Sequence, residues 1–249
     1  SLRSRHSPSP FVASSHPQHG KHGATRRCCA VKNKQLLATV QRCIKQCGVN
    51  ACDKVGQTML HAAAYSGNTE LIRFLAECRA DVNARDEHGW TPLLTALSAN
   101  QYEAALLLLS LGANTQATCE HGLTALHVLA RWPVFDRRQT LLATKLLESG
   151  VPVDARNSAG ETPLLYHCKR RDKSPQFTTF LLDSGADGNA ADYNGITPLH
   201  VAALRDDIAL ANTLLARGYV PLLGTDADTP TPLTIAHRRG NAQMCLLVT

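Results

Sequence analysis

The sequence predicts an all-α solenoid of stacked helix-turn-helix units, and three observations lead to this prediction. An apolar phrase led by threonine recurs six times, at intervals of 33 to 38 residues. A second apolar phrase follows it, as in LLSLGANTQA at 108–117. Apolar residues make up 44% of the 249 residues but aromatic residues only 5%, which is too few for a typical β-sandwich. The six leading residues are Thr58, Thr91, Thr124, Thr162, Thr197 and Thr231.

The chain begins with an arm that we predict to be disordered. Residues 1–30 consist mainly of Ser, His, Pro and Gly, and such a composition cannot bury enough apolar surface to offset its ordering entropy. Residues 1–52 hold nine of the 26 basic residues and none of the 20 acidic residues. A negatively charged partner is therefore expected to contact the arm first.

Three interpretations of the arm stay open. A solvated tail or an import-type address fits its composition best. Nucleic-acid binding is disfavoured, because the arm has a single aromatic residue, Phe11, and no reader motif. Adjacent thiols at Cys28 and Cys29, beside basic residues, suggest acyl acceptance as a further hypothesis.

Helical spacing of apolar residues predicts a leading helix and then a helix pair in each unit. The leading helix, over 31–48, ends at Gly48 and is expected to cap the array. Each recurring threonine is a good N-cap, and in four units proline follows it at the first helical position. Arg79 stands where later units carry a C′ glycine, so we expect a left-handed arginine that costs about 1–2 kcal/mol. Extra residues near 131–139 and 169–173 fall between two helices and should project from one edge.

The repeated phrases resemble the ankyrin repeat, whose pattern is D-x-x-G, T-P-L-H-x-A-A, a glycine, an apolar helix and G-A-D-V-N-A. Residues 86–118 match this pattern along their length, and the resemblance extends over about 31–249. It implies an ankyrin-repeat solenoid with β-hairpin-like loops, which binds proteins and is not an enzyme. The predicted repeats occupy approximately 53–85, 86–118, 119–156, 157–191, 192–225 and 226–249.

The resemblance also implies a concave recognition face formed by the hairpin tips and the first helices. Its variable positions lie immediately before each repeated threonine and four residues after it. Trp90 and Tyr166 occupy two of these positions, and tryptophan and tyrosine dominate interface hot spots. Packing of Trp90 on the neighbouring hairpin alone is an open alternative. The predicted partner-binding residues are Trp90, Tyr166, Leu123, Ile196, Val128 and Val201.

Basic residues cluster at the turns between the two helices of the later units, where stacking aligns them along one edge. Part of this charge is offset by acidic residues at the same turns, Asp136, Asp172, Asp206 and Asp207. Two interpretations stay open: a solvated ridge, or a surface that binds an acidic partner segment with salt-dependent affinity. The basic ridge consists of Arg137, Arg138, Lys169, Arg170, Arg171, Arg238 and Arg239, with Arg131, Lys173 and Arg205 beside them.

No catalytic constellation is recognisable in the sequence. His61, His127 and His200 share one place in their units, but none is paired with a nucleophile and an orienting acid, as a triad requires. The resemblance implies instead that these histidines make structural hydrogen bonds at the helix start. No phosphate-binding glycine motif is present, so we expect neither a nucleotide nor another cofactor.

The cysteines and one asparagine carry the remaining site predictions. Cys43, Cys47 and Cys52 lack an evident fourth ligand, so we predict core thiols and no metal site. Asn83 lies in LAECRADVNA, which resembles the acceptor context for asparaginyl hydroxylation in the ankyrin family. Asn83 is therefore a candidate hydroxylation site.

The sequence as a whole predicts a non-catalytic scaffold that binds a protein or peptide. The alternative is an accessory region of a larger enzyme or signalling protein, such as a GTPase regulator, an acyltransferase or a ubiquitin-ligase subunit. The missing initiator methionine and the ending inside an apolar helix keep this alternative open. Nine cysteines without a framework spacing favour an intracellular compartment, cytoplasmic or nuclear. We expect a monomeric array that has no transmembrane segment and does not bind nucleic acid.

Overall fold

In a computed structural model of the chain, the described residues are 37–132, 135–171, 174–220 and 230–248. Several sequence predictions lie outside the described residues: the arm at 1–30 with Cys28 and Cys29, the start of the capping helix at 31–36, and Asp172 and Lys173. Two compact units divide the chain, Ser1–Cys43 and Ile44–Thr249. The described part of the first unit, residues 37–43, is helical.

Helices occur in pairs, one pair in each predicted repeat, after a first helix α1 that comprises residues 37–47. The described ranges contain no β-strand, only an isolated antiparallel bridge between Cys52 and Thr58, so the all-α prediction is confirmed. The pairs are α2 (Met59–Ser66) with α3 (Thr69–Glu77), α4 (Pro92–Ser98) with α5 (Tyr102–Ser110), α6 (Ala125–Leu129) with α7 (Arg137–Glu148), α8 (Pro163–Cys168) with α9 (Pro175–Asp183), α10 (Pro198–Arg205) with α11 (Ile208–Leu215), and α12 (Pro232–Arg239) with α13 (Ala242–Leu247).

The first helix of each pair begins directly after its repeated threonine, which has extended backbone angles and acts as the N-cap. The hydroxyl oxygen of Thr91 accepts a hydrogen bond from the backbone N–H of Leu94, and Pro92 occupies the first helical position. Because the N–H of this position has no partner inside a helix, proline starts the helix without losing a hydrogen bond. Local sequence therefore determines where these helices begin.

In the first and third units, the histidine three residues after the repeated threonine links its own helix start to the following unit. The backbone N–H of Thr124 donates to Nδ1 of His127, so this nitrogen carries no proton. Nε2 therefore carries the proton and donates to the carbonyl oxygen of Glu161 in the next hairpin, at 3.0 Å. Nδ1 of His61 and of His200 accepts the N–H of the respective threonine in the same way. The predicted structural role of these histidines is confirmed.

Several turns in the array require a left-handed residue. Asn100 and Asp206 follow first helices and have φ angles of 58° and 55°. Their short polar side chains tolerate this conformation better than most. Arg79 has a φ of 62° in the place that later units fill with glycine. The expected left-handed arginine is confirmed, and it costs about 1–2 kcal/mol at the end of α3.

The longer turn of the third unit contributes to the core. Trp132 is buried, and its indole N–H donates to the carbonyl oxygen of Leu97 at 2.6 Å. Phe135 is also buried, with its ring centroid 4.7 Å from that of Phe177. The prediction that this insertion projects from one edge is wrong, because two large aromatic side chains gain more free energy in the core than in water.

A buried histidine joins the two longer turns. Nδ1 of His167 lies 2.9 Å from the carbonyl oxygen of Ala130, at the end of α6. Nε2 lies 2.9 Å from the carbonyl oxygen of Ser174, directly before α9. The imidazole also packs edge-on against Phe177, with the centroids 5.0 Å apart. The imidazole therefore lies between the backbone of the two longer turns, one in the third unit and one in the fourth.

The helix pairs stack in the order of the sequence. The first helix of each pair contacts the first helix of the next, from α2 with α4 to α10 with α12. The leucine two residues after the threonine is at most 2% exposed in the first five units. Each such leucine contributes about 1.5–3 kcal/mol to folding by burial. The Thr-led segments therefore line up side by side, as the solenoid prediction requires. These leucines are Leu60, Leu93, Leu126, Leu164 and Leu199.

We expect His127→Ala to lower the free energy of unfolding by about 2–4 kcal/mol. The substitution leaves the carbonyl oxygen of Glu161 without its donor and opens a cavity at a fully buried site. Urea denaturation followed by circular dichroism measures the change. The matched control is His121→Ala, which removes a side chain that is 72% exposed and should cost less than about 0.5 kcal/mol. Equal losses in the two variants would contradict the structural role of His127.

We also expect stability to fall as the pH is lowered from about 7.5 to about 5.5. Burial lowers the pKa of His127 and of His200, so the unfolded chain binds protons that the folded chain does not. The loss begins near the ordinary histidine pKa of about 6.5 and continues towards the lower folded values. Exposed His88 acts in the opposite direction, because its hydrogen bond with Glu120 raises its pKa.

Urea titrations of the wild-type chain and of His127→Ala across this pH range isolate the contribution of one imidazole. The wild-type free energy of unfolding should decline more steeply than that of the variant, since only the wild type has this buried neutral group. Parallel curves would show that His127 carries no part of the pH dependence.

Candidate partner-binding surface

The hairpin loops between units are held by side-chain oxygens and by one another. Oδ1 of Asp86 accepts hydrogen bonds from the backbone N–H groups of His88 and Trp90, at 3.0 and 2.9 Å. Neighbouring tips then pair through the backbone, as where the N–H of Glu120 donates to the carbonyl oxygen of His88 at 2.8 Å. Four such bonds connect the tips of the first five units, so the tips form a fixed row.

The side chain before each repeated threonine differs in exposure from unit to unit. Trp90 and Ile196 are half-buried and keep part of their surface in solvent. Leu123 is only 7% exposed. Its placement among the partner-binding residues is therefore corrected, because its side chain is already covered by the array.

Of the three first-helix residues predicted to bind a partner, only Tyr166 keeps accessible surface. Tyr166 is half-buried, and its ring packs edge-on against His127 with the centroids 5.7 Å apart. Val128 is 0% exposed and Val201 is 3% exposed. This corrects their assignment to the binding face. The physical reason is the stack itself, since α6 contacts both α4 and α8, and α10 contacts both α8 and α12.

The accessible position of the first helices lies seven residues after the threonine. Tyr65 is 56% exposed and Leu204 is 44% exposed, although both side chains are large. The predicted first-helix position lies four residues after the threonine. Residues three apart on a helix are neighbours on one face, so the exposed position lies on the same face as the predicted one. A signal for Tyr65 was present in the sequence: it follows the small alanines that mark the buried stripe of α2.

Two hairpin tips add exposed apolar side chains. Val55 is 39% exposed and Tyr193 is 72% exposed. The ring of Tyr193 lies across Gly160, where an added Cβ would come within 2.7 Å of ring carbon Cδ1. Because Gly160 has no side chain, the Tyr193 ring can lie over it in this position. Six of the accessible apolar side chains form what we call the apolar row: Val55, Tyr65, Trp90, Tyr166, Tyr193 and Leu204. The half-buried Ile196 stays a predicted partner-binding residue beside them.

Lys169 of the basic ridge is neutralised inside the array. Its ammonium nitrogen lies 2.7 Å from Oε1 of Glu161 and 2.6 Å from Oδ2 of Asp192 in the next unit. Burial alone would raise the pKa of Asp192, but hydrogen bonds from Lys169 and from backbone N–H groups hold it below its usual range. Burial would likewise lower the pKa of Lys169, and its two carboxylate partners raise it instead. Lys169 therefore joins two units and is not a free cation.

Two further arginines at this edge also hold the array together. The guanidinium of Arg205 donates to three backbone carbonyl oxygens at the end of α8, among them that of Cys168 at 3.0 Å. A cation is favourable there, because the last carbonyls of a helix carry partial negative charge. Nε of Arg239 lies 3.2 Å from a carboxylate oxygen of Asp206.

The remaining arginines of the first-helix ends are not neutralised. Arg131, Arg171 and Arg238 are exposed, and their side chains form no hydrogen bond or ion pair with the part of the chain that the structure describes. Arg170 is half-buried, and its Nε is buried without a hydrogen-bond partner among the described residues. The ridge thus separates into cations that hold the array together and cations that face solvent.

Arg137 and Arg138 lie apart from the other ridge residues. They are exposed at the start of α7, a second helix, whereas the others follow or end first helices. Arg137 borders a shallow groove that Phe135 and Phe180 also line. The predicted ridge is therefore not a single line of charge.

Asn83 is exposed and connects two units through its side chain. Its Oδ1 accepts the backbone N–H of Asn114 at 2.6 Å, and its own N–H donates to Oδ1 of Asp81. Asn50 makes the equivalent bond to Asp81 one unit earlier. Hydroxylation of Asn83 stays a prediction, at a side chain that solvent reaches.

The cysteines near the start of the array are not core thiols. Cys43, Cys47 and Cys52 are exposed, because most side chains over 41–52 lie in solvent, and this corrects the prediction. Within the described ranges, no three His, Cys, Asp or Glu side chains are grouped so that they could hold a metal ion. None of the helices described above combines the length and apolar character needed to cross a membrane.

The fold and this surface define a class of protein: a helical repeat array that presents hairpin tips and helix faces for recognition. A family model described as "Ankyrin repeats (3 copies)" matches residues 28–119 and 126–222, and the chain belongs to the ankyrin repeat family. Ankyrin repeats are generally protein–protein interaction modules and typically non-catalytic.

One similar curated protein is the Neurogenic locus Notch protein of Drosophila melanogaster. It is 36% identical over 94 residues, which are 37% of this chain. The matched segment is 3% of that protein, so the chain spans only a small part of the length of this relative.

We expect Lys169→Met to lower the free energy of unfolding by about 1–3 kcal/mol, since it leaves the 1% exposed carboxylate of Asp192 without its cation. Urea denaturation at neutral pH measures the loss. The double variant Lys169→Met/Asp192→Asn should recover at least half of it, because asparagine keeps the oxygen that folds the hairpin, as Asn157 does one unit earlier. A double variant no more stable than the single one would contradict an electrostatic cause.

Proposed function

We propose that this chain is a non-catalytic scaffold that binds a protein or peptide along its apolar row on the concave face of the array. One observation carries the proposal: six large apolar side chains stay accessible although the leucines beneath them are fully buried. Exposed apolar surface costs about 25 cal/mol per Å², so large apolar side chains left in solvent on a recognition face are candidates for contact with a partner. The function is therefore recognition by shape and by apolar contact.

The conformational entropy cost of binding a partner on the apolar row should be small, because parts of the row are already ordered. The hairpin tips are joined by backbone hydrogen bonds, and the ring of Tyr193 lies over Gly160. Tyr166 is held by its edge-on contact with His127. Because immobilising a side chain costs about 0.5–1.5 kcal/mol, anchors that are already fixed leave more of the contact energy for affinity.

The alternative function is that of an accessory region in a larger enzyme or signalling protein. The similarity to a segment that makes up 3% of a much longer protein favours this alternative, because the same module is embedded there in a large chain. Under both proposals the array itself recognises a partner and the described surface is the same. Full-length transcript sequence on both sides of this segment distinguishes them.

We further propose a monomeric array in an intracellular compartment, cytoplasmic or nuclear. Cys43, Cys47 and Cys52 are free thiols that lie exposed to solvent, which suits a reducing environment. The helices from α4 to α10 that begin after the repeated threonines have neighbours on both sides within one chain. Nucleic acid is not the expected partner.

Peptides selected from a random phage-displayed library on the immobilised full chain provide the probe for the binding surface. We expect Tyr65→Ala, Trp90→Ala and Tyr166→Ala each to weaken the selected peptides about tenfold, because anchors of this kind dominate binding energy. Isothermal titration calorimetry measures the affinities, and thermal melting checks that each variant is folded.

The matched control is Leu141→Ala, which truncates a 49% exposed side chain on the second helix α7. It should leave the affinities unchanged. The proposal fails if Leu141→Ala weakens the peptides as much as the row variants do, or if all three row variants bind like the wild type.

A further inference from the structure

A continuous edge of the array is formed where the first helices of the third to sixth units end. Nδ1 of His167 reaches the carbonyl oxygen of Ala130, which ties the ends of α6 and α8 together. Arg205, at the end of α10, donates to the carbonyl oxygens at the end of α8. The contact of Arg239 with Asp206 joins α12 to the same edge. Side chains at these four helix ends therefore lie along one line.

Positive charge on this edge exceeds what the array uses. Basic side chains at helix C-termini ordinarily satisfy terminal carbonyls, and Arg205 already does so for α8. Arg131, Arg171 and Arg238 make no such contact with the described residues and point into solvent. Nε of Arg170, between them, is buried without an acceptor among the described residues.

The described acidic side chains of this edge are already engaged. Oδ1 of Asp136 accepts backbone N–H groups at the start of α7, and Oδ1 of Asp207 accepts the N–H of Leu210 at the start of α11. Asp206 is bound by Arg239 and by the side-chain amide of Asn241. These carboxylates are therefore held at the helix starts or by Arg239, and none of them forms an ion pair with Arg131, Arg171 or Arg238 in the described structure.

We propose that this edge binds an acidic segment of a partner protein, a run of Asp or Glu whose carboxylates contact Arg131, Arg171 and Arg238. The inference rests on the proposed function and names the chemistry of that partner. Guanidinium groups bind carboxylates through two parallel N–H donors, which makes arginine better suited than lysine to this task. Leu204 of the apolar row directly precedes Arg205, so one partner segment can use both surfaces.

A protein ligand fits this edge better than a nucleic acid does. Binding of single-stranded nucleic acid relies on aromatic side chains on which the bases stack. The exposed tyrosines of the described ranges, Tyr65 and Tyr193, lie on the first unit and on a hairpin tip, and the ring of Tyr166 on α8 is half-buried against His127. The edge thus offers donors for oxygen ligands without a stacking platform.

Fluorescence anisotropy of a labelled oligoglutamate peptide titrated with the full chain tests the proposal. We expect binding whose affinity falls several-fold when salt is raised from about 50 to about 200 mM. The variant Arg131→Gln/Arg171→Gln/Arg238→Gln should weaken binding at least about tenfold. An oligoglutamine peptide should not bind either protein.

A second triple variant, Lys54→Gln/Arg73→Gln/Lys145→Gln, removes the same net charge from exposed cations on a hairpin tip and on second helices. It should change the affinity by less than about twofold. The proposal is overturned if both triple variants weaken binding equally, if oligoglutamate does not bind, or if duplex DNA displaces the peptide and depends on the same arginines.

Failure of this inference is distinguishable from failure of the proposed function. Trp90→Ala should leave oligoglutamate affinity unchanged while it weakens the peptides selected on the apolar row. If the row variants do not weaken the selected peptides but the arginine triple variant still weakens oligoglutamate, only the apolar row is refuted. If the arginine triple variant does not weaken oligoglutamate but the row variants still weaken the selected peptides, only the acidic partner is refuted.

Discussion

Each helix pair of this chain must bury its apolar side on a neighbouring pair, because two short helices cannot enclose a core by themselves. The leucines two residues after the repeated threonines show the result, since they are almost inaccessible in the first five units. Stacking also decides what remains outside. Side chains on the hairpin tips and on the exposed face of the first helices stay outside the buried contact between helix pairs, and they are available to a partner.

Buried polar groups, like the buried apolar ones, find their partners in a neighbouring unit. The imidazole N–H of His127 donates a hydrogen bond to a carbonyl oxygen of the next unit, and Lys169 forms ion pairs with carboxylates from two units. Such buried bonds are costly to break, since the groups left behind cannot reach water. They remove from the surface several residues that look functional in the sequence. The groups that are not removed, the apolar row and three arginines, are the basis of the functional inference.

Much of the fold was predictable because its signals are local. Thr91 and Pro92 start a helix through bonds within four residues, and Arg79 is left-handed because a turn there requires it. The binding face was harder to predict. Val128 and Tyr166 occupy the same place in their units, yet only Tyr166 keeps accessible surface. Exposure at that place depends on how closely the neighbouring helices approach, and repeat spacing does not contain that distance.

The sequence by itself determined the class of protein, the order of the units and the starts of the helices. Only the tertiary structure decided which side chains are free. Trp132 is buried because it reaches a carbonyl 35 residues earlier, and Lys169 is neutralised by a carboxylate 23 residues later. Arg171, two positions beyond Lys169, meets no such group in the described structure. The physical reason is that burial and ion pairing act between units, at distances along the chain that no local pattern records.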